Sequence, residues 1–222
     1  MRKLGVVFVA LTCLTIAAAV AMAAEAPVGE NMKGQVTVGV QGGVVVPTGA
    51  LAKDFNAEAV TSDEIGGFQG KMGFTGGLNV DYFITKEFAL GLDGSYSTFK
   101  SDYAHAGDAK ATTLQFGLHG KYLIPTGGPL VPYVFVGAGL YNAKITDIPD
   151  TEDLSQSKFG MNGGVGAAYK INDMVSVGLN GAYHYAFSEF KPEIEGEKVT
   201  VLDDWNFITF NAAVTFQIPM GK

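Results

Sequence analysis

Five ionisable residues stand at polar positions within segments that otherwise carry few charges. They are Asp81, Asp93, His119, Lys121 and Lys170. Charges inside a low-dielectric wall must be paired or hydrated. The five therefore predict a polar network, either a salt-bridge plug that fills an interior or a gate or proton path. We expect Asp93 and Lys121 to pair and to draw His119 into the same network.

A second group of charges lies in a polar stretch without alternation. Asp147, Asp150, Glu152 and Asp153 form a compact carboxylate cluster, and such clusters can hold Ca²⁺ or Mg²⁺. No EF-hand spacing is present, so a solvated acidic loop is the other interpretation. No metal site is firmly predicted, and no cofactor is expected.

Histidine and serine in one segment raise the question of nucleophilic catalysis. His184 and Ser188 share a predicted face, but four strand residues separate them by roughly 13 Å. A nucleophile and its base need hydrogen-bond contact. His105, in another polar stretch, leaves a partner from elsewhere in the chain open. The sequence therefore favours a protein that is not an enzyme.

The N-terminus has the features of a secretory signal peptide. Arg2 and Lys3 precede an apolar run over 4–20, and small residues at 21–23 follow. We predict a signal peptide over 1–24, a short periplasmic segment over 25–33 and one barrel domain over 34–222. The only cysteine, Cys13, would leave with the signal peptide, so no disulfide is expected. The acidic composition argues against nucleic-acid binding.

Eight segments of the chain alternate apolar and polar residues with the period of two that β-strands require. The clearest runs from Leu114 to Ile124, and the last from Ile208 to Ile218. The fifth segment, Pro132 to Lys144, is apolar on both faces, so its phase stays open. The predicted segments are about 35–47, 72–84, 88–100, 114–124, 132–144, 159–171, 175–188 and 208–218.

The connections between these segments alternate in length. Short turns are predicted at 86–87, 125–130 and 172–173, whereas the stretches 48–71, 101–110, 145–158 and 189–205 are long and polar. Short periplasmic turns and longer extracellular loops are typical of transmembrane β-barrels. The long stretches carry 16 acidic and 8 basic residues over 53–71, 100–110, 144–158 and 189–204.

The polar faces distinguish a membrane barrel from a soluble one. A lipocalin-type barrel is apolar inside and charged outside, but the polar faces here hold mainly Gly, Ser, Thr, Asn and Gln. Aromatic residues near both ends of the apolar faces predict two interfacial girdles. We therefore expect an all-β, eight-stranded antiparallel up-and-down transmembrane barrel. Its first and last strands must pair, because lipid satisfies no open strand edge. The glycine pairs 42–43, 76–77 and 163–164 would let its wall curve tightly.

The run from Pro132 to Tyr141 resembles the recurrent Pro-Tyr-x-x-x-Gly-x-Gly strand of small eight-stranded outer membrane β-barrels. This superfamily includes the transmembrane domain of outer membrane protein A and the X-type outer membrane proteins. The closing strand, with Phe216 near its end, is also similar to theirs. The resemblance implies location in the cell outer membrane, contact with lipid and lipopolysaccharide, and insertion by the outer membrane assembly machinery.

Together these features predict a monomeric, non-enzymatic protein that supports envelope integrity or surface interaction through acidic loops. A small porin-like diffusion channel is the first alternative, since the predicted interior is polar. A lipid-modifying outer membrane enzyme is the second.

Overall fold

The computed structural model describes residues 32–52, 70–100, 110–146, 154–187, 193–194, 197–198 and 204–218. Within these ranges ten strands and one short 3-10 helix, Gly49–Leu51, follow one another. The strands are β1 (Val36–Thr48), β2 (Gly73–Phe83), β3 (Phe88–Lys100), β4 (Lys110–Leu123), β5 (Leu130–Thr146), β6 (Leu154–Lys170), β7 (Val175–Phe187), β8 (Glu193–Ile194), β9 (Glu197–Lys198) and β10 (Trp205–Ile218). No helix among the described residues has the length and apolar character needed to cross a membrane.

Eight of these strands form a closed antiparallel barrel in the order β1-β10-β7-β6-β5-β4-β3-β2. Pairing of β1 with β10 closes it, from Val36 opposite Ile218 to Thr48 opposite Asn206. The strands β8 and β9 form a separate small hairpin within the last long connection. The predicted eight-stranded barrel is therefore confirmed, including the pairing of its first and last strands.

The strands β5 and β6 are longer than the sequence predicts. Both have 17 residues, and their pairing continues to Ile145 opposite Leu154. Part of the predicted loop 145–158 is therefore strand. The alternation of apolar residues ends near Leu140 and Phe159 because the outward positions beyond them are polar, as Asn142 and Ser157 are.

Side chains on the two faces of the wall differ as predicted. Outward residues such as Phe74, Phe116 and Leu118 are exposed, whereas inward polar residues such as Thr37 and Gln115 are buried. An apolar exterior and a polar interior suit a barrel whose outer solvent is lipid. Tyr169 differs from the prediction, since it is buried at the short-turn end of β6.

The structure also fixes the phase of β5, which its sequence left open. Val134, Val136 and Leu140 are exposed on the lipid face. Tyr133 and Phe135 line the interior, and Tyr141 is fully buried. The aromatic side chains of β5 thus occupy the lumen, whereas Val134, Val136 and Leu140 face outward.

Candidate functional site: the barrel lumen

Asp81 is the hub of a buried charge network in the lumen, at the end of the barrel that carries the short turns. Its side chain is 1% exposed and accepts hydrogen bonds from four groups. These are Thr37 Oγ1 at 3.2 Å, Asn79 Nδ2 at 3.0 Å, His119 Nε2 at 2.6 Å, and Lys121 Nζ. A carboxylate held by several donors can remain charged in a buried position.

His119 bridges two carboxylates. Its Nε2 lies 2.6 Å from Asp81 Oδ1, and its Nδ1 lies 2.9 Å from Asp93 Oδ1. Only the doubly protonated imidazolium can donate from both ring nitrogens at once. In that protonation state, His119 and Lys121 would supply two positive groups to match the carboxylates of Asp81 and Asp93. Gln115 extends it by donating to Asp93 at 2.5 Å and accepting from Ser95 Oγ at 2.9 Å.

Gly91 makes the contact between Asp81 and His119 sterically possible. In the ladder, Asp81 lies opposite Gly91, and Gly91 lies opposite His119. A Cβ at Gly91 would stand 2.4 Å from Asp81 Oδ1 and 2.7 Å from His119 Nε2. Because Gly91 of β3 has no side chain, the side chains of Asp81 on β2 and His119 on β4 can contact each other above it. Alternation of residue types does not predict this role of Gly91, because the role depends on the register of three strands.

The expected pair of Asp93 and Lys121 is wrong. The β3–β4 register places Asp93 opposite Gly117 and Lys121 opposite Ala89, four residues apart along the ladder. Lys121 instead contacts Asp81, and its Nζ lies 5.5 Å from the centre of the Tyr133 ring. Lys170 lines the same cavity, but its side chain makes no ion pair with the described residues.

A cavity of about 140 Å³ lies beside the network. Its lining includes Met32, Lys170 and Met174 near the short turns, and His184 and Thr209 at the other extreme. This volume is large enough for several water molecules, since one water needs roughly 10–15 Å³ of such space. The charged network therefore lies beside space that water can occupy.

An apolar cluster fills the lumen at the opposite end, near the long loops. Trp205 and Phe207 of β10, Phe99 of β3 and Tyr141 of β5 are each at most 1% exposed. The Phe99 ring centre lies 6.3 Å from that of Trp205 and 6.5 Å from that of Phe207. Trp205 Nε1 donates to Thr113 Oγ1 at 2.9 Å, so the indole N–H is satisfied. We call this cluster the extracellular plug; its other members are Val45, Ala50, Leu51, Ala111, Ala143, Ile145 and Ala186.

The sequence pattern does not predict the plug, because alternation predicts inward faces that stay polar along their whole length. Phe99 and Phe207 occupy inward positions of their strands, next to outward Thr98 and Ile208. A large aromatic residue in the polar phase was the available signal. Leu51 reaches the plug from the 3-10 helix after β1, which the alternation of strands does not predict.

His184 belongs to a separate hydrogen-bonded group below the plug. Its Nδ1 lies 3.2 Å from the Tyr141 hydroxyl, and its Nε2 lies 3.2 Å from Thr209 Oγ1. Asn162 Nδ2 donates to the Tyr141 hydroxyl at 3.1 Å, and the imidazole stacks on Phe207 at 4.6 Å. The group is buried and has no carboxylate hydrogen-bonded to the histidine within the described residues. It supports the plug from the side of the cavity.

Several candidate residues lie outside the described residues. These are Asp147, Asp150, Glu152 and Asp153 of the predicted divalent-cation cluster, together with His105 and Ser188. Within the described ranges, no three of the His, Cys, Asp and Glu side chains are placed so that they could hold a metal ion. The acidic-loop metal site stays a prediction.

The closed barrel, its lipid-facing exterior and its filled lumen define the class of small outer membrane β-barrels. Residues 9–216 match the family described as outer membrane protein beta-barrel domain. The chain belongs to this family, and its place is the bacterial outer membrane.

Solved structures show the same fold at low sequence identity. Neisserial surface protein A shares 18% identity and a TM-score of 0.55, over 82% of this chain and 96% of that one. AlkL, solved in lipid bilayers, shares 14% identity and a TM-score of 0.56, over 89% and 96%. OprG from Pseudomonas aeruginosa shares 14% identity and a TM-score of 0.52, over 86% and 100%. None of the curated proteins compared matches the chain.

Proposed function

We propose that this protein is a non-enzymatic outer membrane barrel whose lumen is closed to diffusion, and that it acts through its wall and its extracellular loops. The observation that carries the proposal is the extracellular plug. Phe99, Tyr141, Trp205 and Phe207 are fully buried inside the barrel, at the end through which an external solute would enter. An eight-stranded barrel has an interior that side chains can fill, whereas water-filled porins use about sixteen strands.

The charge network fills part of the lumen at a second level, nearer the short turns. Asp81 of β2 contacts both His119 and Lys121 of β4 across the intervening strand β3. Moving these groups aside would separate buried charges from their partners, which is costly. The lumen therefore has an apolar closure near the loops and a charged network beside a cavity nearer the periplasm.

A liposome-swelling assay tests the proposal. Refolded protein in proteoliposomes should give swelling in small sugars no faster than protein-free liposomes, and a general porin serves as the positive control. Sugar-dependent swelling at a rate similar to that of the porin would contradict it. Circular dichroism and heat-modifiable gel mobility confirm that the reconstituted protein is folded.

A narrow gated channel is the second candidate, and the cavity beside the network favours it. If the network were the gate, Lys121→Ala should increase the frequency of small, brief openings in planar-bilayer recordings. Lys86→Ala, in the exposed turn between β2 and β3, is the matched control for loss of one positive charge. A plug that closes the lumen on its own leaves both variants silent.

The acidic loops would be the part of the protein that contacts other molecules at the cell surface. The carboxylate cluster at 147–153 is the proposed site for divalent cations that bridge the loops to anionic lipopolysaccharide. Isothermal titration of folded protein with Ca²⁺ tests this part, using a variant with Asp147, Asp150, Glu152 and Asp153 changed to Asn or Gln. Equal Ca²⁺ binding by both proteins would contradict it.

A further inference from the structure

The cavity in the lumen faces the short turns. At that end its lining includes Asn172 and Met174, which are exposed, and Lys170, which is half-buried. Deeper in the lumen, His184 and Asn211 are each at most 7% exposed. The extracellular plug begins at this depth, since Phe207 stacks on His184. A small molecule would therefore enter from the periplasm; this route rests on the proposed function, whereas binding within the cavity does not.

Lys170 brings a positive charge to the cavity. It ends β6, lies opposite Ser176 of β7 and lines the cavity together with it. Its ammonium group makes no ion pair with the part of the chain that the structure describes. An ammonium in this position can form charge-assisted hydrogen bonds to a carboxylate, so Lys170 favours an anionic ligand.

Asn211 presents a hydrogen-bond acceptor that has no donor. Its Nδ2 donates to Asn180 Oδ1 at 3.2 Å, and Asn180 Nδ2 donates to Gln41 Oε1 at 3.1 Å. The Oδ1 of Asn211 is buried and has no hydrogen-bond partner among the described residues. Since an unsatisfied buried acceptor is costly, a ligand that donates a hydrogen bond here would be stabilised.

The separation of these two groups limits the size of the ligand. Asn211 lies opposite Asn180, and Lys170 opposite Ser176. Four residues of β7 separate Ser176 from Asn180, roughly 13 Å along the strand, and the flexible stem of Lys170 can shorten this distance. The cavity of about 140 Å³ is close in volume to a cavity of about 150 Å³ that binds benzene. A ligand of about six or seven non-hydrogen atoms is therefore expected.

Two aromatic rings form an apolar wall of the cavity without filling it. Tyr133 and Phe135 of β5 lie opposite Gly166 and Gly164 of β6. A Cβ at Gly166 would stand 2.4 Å from Tyr133 Cζ, and one at Gly164 would stand 2.7 Å from Phe135 Cζ. The rings therefore lie over these glycines, and the carbon chain of a ligand can pack against them.

The charges of the cavity also indicate which donor the ligand carries. Asp81 and Asp93, the two carboxylates in its described lining, are both hydrogen-bonded to His119. No carboxylate of the described lining is left for a ligand ammonium group, and Lys121 and Lys170 would repel one. A neutral hydroxyl group meets neither obstacle, so it suits Asn211 Oδ1 better than an ammonium group does.

We propose that the cavity binds a small hydroxylated carboxylate from the periplasm. Lys170 binds the carboxylate, Asn211 Oδ1 accepts a hydrogen bond from a hydroxyl group, and Tyr133 and Phe135 contact the carbon chain. The barrel would then be a periplasmic binding protein for small acids as well as a closed element of the membrane.

The test compares four small molecules with the full mature protein, folded in detergent micelles. D-glycerate carries both groups, propionate lacks the hydroxyl groups, glycerol lacks the carboxylate, and alanine carries an ammonium group. Titration followed by NMR chemical shifts gives each Kd. The native protein should bind D-glycerate about tenfold more tightly than each of the other three, because each lacks one interaction or adds a repulsion.

Two variants separate the roles of the two groups. Lys170→Gln should weaken binding of D-glycerate and propionate about tenfold and leave glycerol unchanged. Asn211→Leu should weaken D-glycerate to the level of propionate and leave propionate unchanged. Lys86→Gln, in the exposed turn between β2 and β3, is the control for loss of one positive charge at the same end of the barrel. If Asn211→Leu does not fold, the side-chain amide signals of Asn211 in the native protein should shift with D-glycerate and not with propionate.

Three results would overturn the proposal. The first is equal affinity of the native protein for D-glycerate, propionate and glycerol, or no binding of any of them. The second is unchanged D-glycerate affinity in folded Lys170→Gln. The third is binding of alanine as tight as that of D-glycerate, which would contradict the charge argument. Because binding is measured in micelles, it does not depend on closure of the lumen, so a failure here is distinct from a failure in the swelling assay.

Discussion

The two halves of the lumen are filled in different ways. Near the long loops, Phe99, Trp205 and Phe207 pack with Tyr141 into an apolar cluster. Nearer the short turns, Asp81, His119 and Lys121 form a charged network beside a cavity. Apolar packing excludes water and ions by itself, whereas buried charges need partners and nearby water. We infer that the plug closes the lumen and that the network stabilises the half of the lumen that contains the cavity.

Removal of the central carboxylate should have the largest effect on stability. Asp81→Asn leaves His119 and Lys121 buried beside a neutral amide, and breaking a buried ion pair in this way costs about 3–5 kcal/mol. Urea unfolding in micelles, followed by fluorescence of the single tryptophan, Trp205, measures this cost. The double variant Asp81→Asn/Lys121→Met should recover part of the loss. A cost below about 1 kcal/mol would mean that the network is solvated rather than buried.

The stability that the plug contributes should depend on the volume of its side chains and not on charge. Trp205→Ala is expected to cost about 3–5 kcal/mol, the usual range for a large aromatic residue in a packed interior. Trp205→Phe loses the hydrogen bond to Thr113 but keeps most of the ring, so a cost of about 1–2 kcal/mol is expected. Urea unfolding followed by circular dichroism measures both. Equal costs for the two variants would contradict the volume argument.

A substitution at Gly91 should have a smaller effect on stability and tests one contact of the network. Gly91→Ala places a methyl group between Asp81 and His119, and overpacking of this kind costs about 1–3 kcal/mol. Gly94→Ala is the matched control on the same strand, because its Cβ would meet only ordinary contacts, the nearest at 3.7 Å. Chemical shifts of His119 should move in the first variant and stay in place in the second. Similar behaviour of both variants would remove the special role assigned to Gly91.

Alternation of residue types was enough to predict the architecture. The period of two predicted the positions of all eight barrel strands. The types of polar residue indicated that the polar face lines the interior and that the apolar face contacts lipid. The inward positions of Asp81, Asp93, His119, Lys121 and Lys170 followed from the same phase, and all five line the cavity.

Contacts between strands were harder to predict, because they depend on register. Alternation says which face a side chain takes but not which residue lies across from it. Lys121 therefore pairs with Asp81 on β2 rather than with Asp93 on the adjacent β3. The plug escaped prediction for a related reason, since it is assembled from β1, β3, β4, β5, β7, β10 and the 3-10 helix together.

Planar-bilayer conductance of two matched variants tests the central claim most directly. Trp205→Ala/Phe207→Ala removes the aromatic core of the plug, and Asp81→Asn/Lys121→Met removes the central ion pair of the network. The native protein and the network variant should show no steady conductance, whereas the plug variant should show ion-conducting openings. Steady conductance in the network variant, with a silent and folded plug variant, would contradict the account and assign closure to the charges.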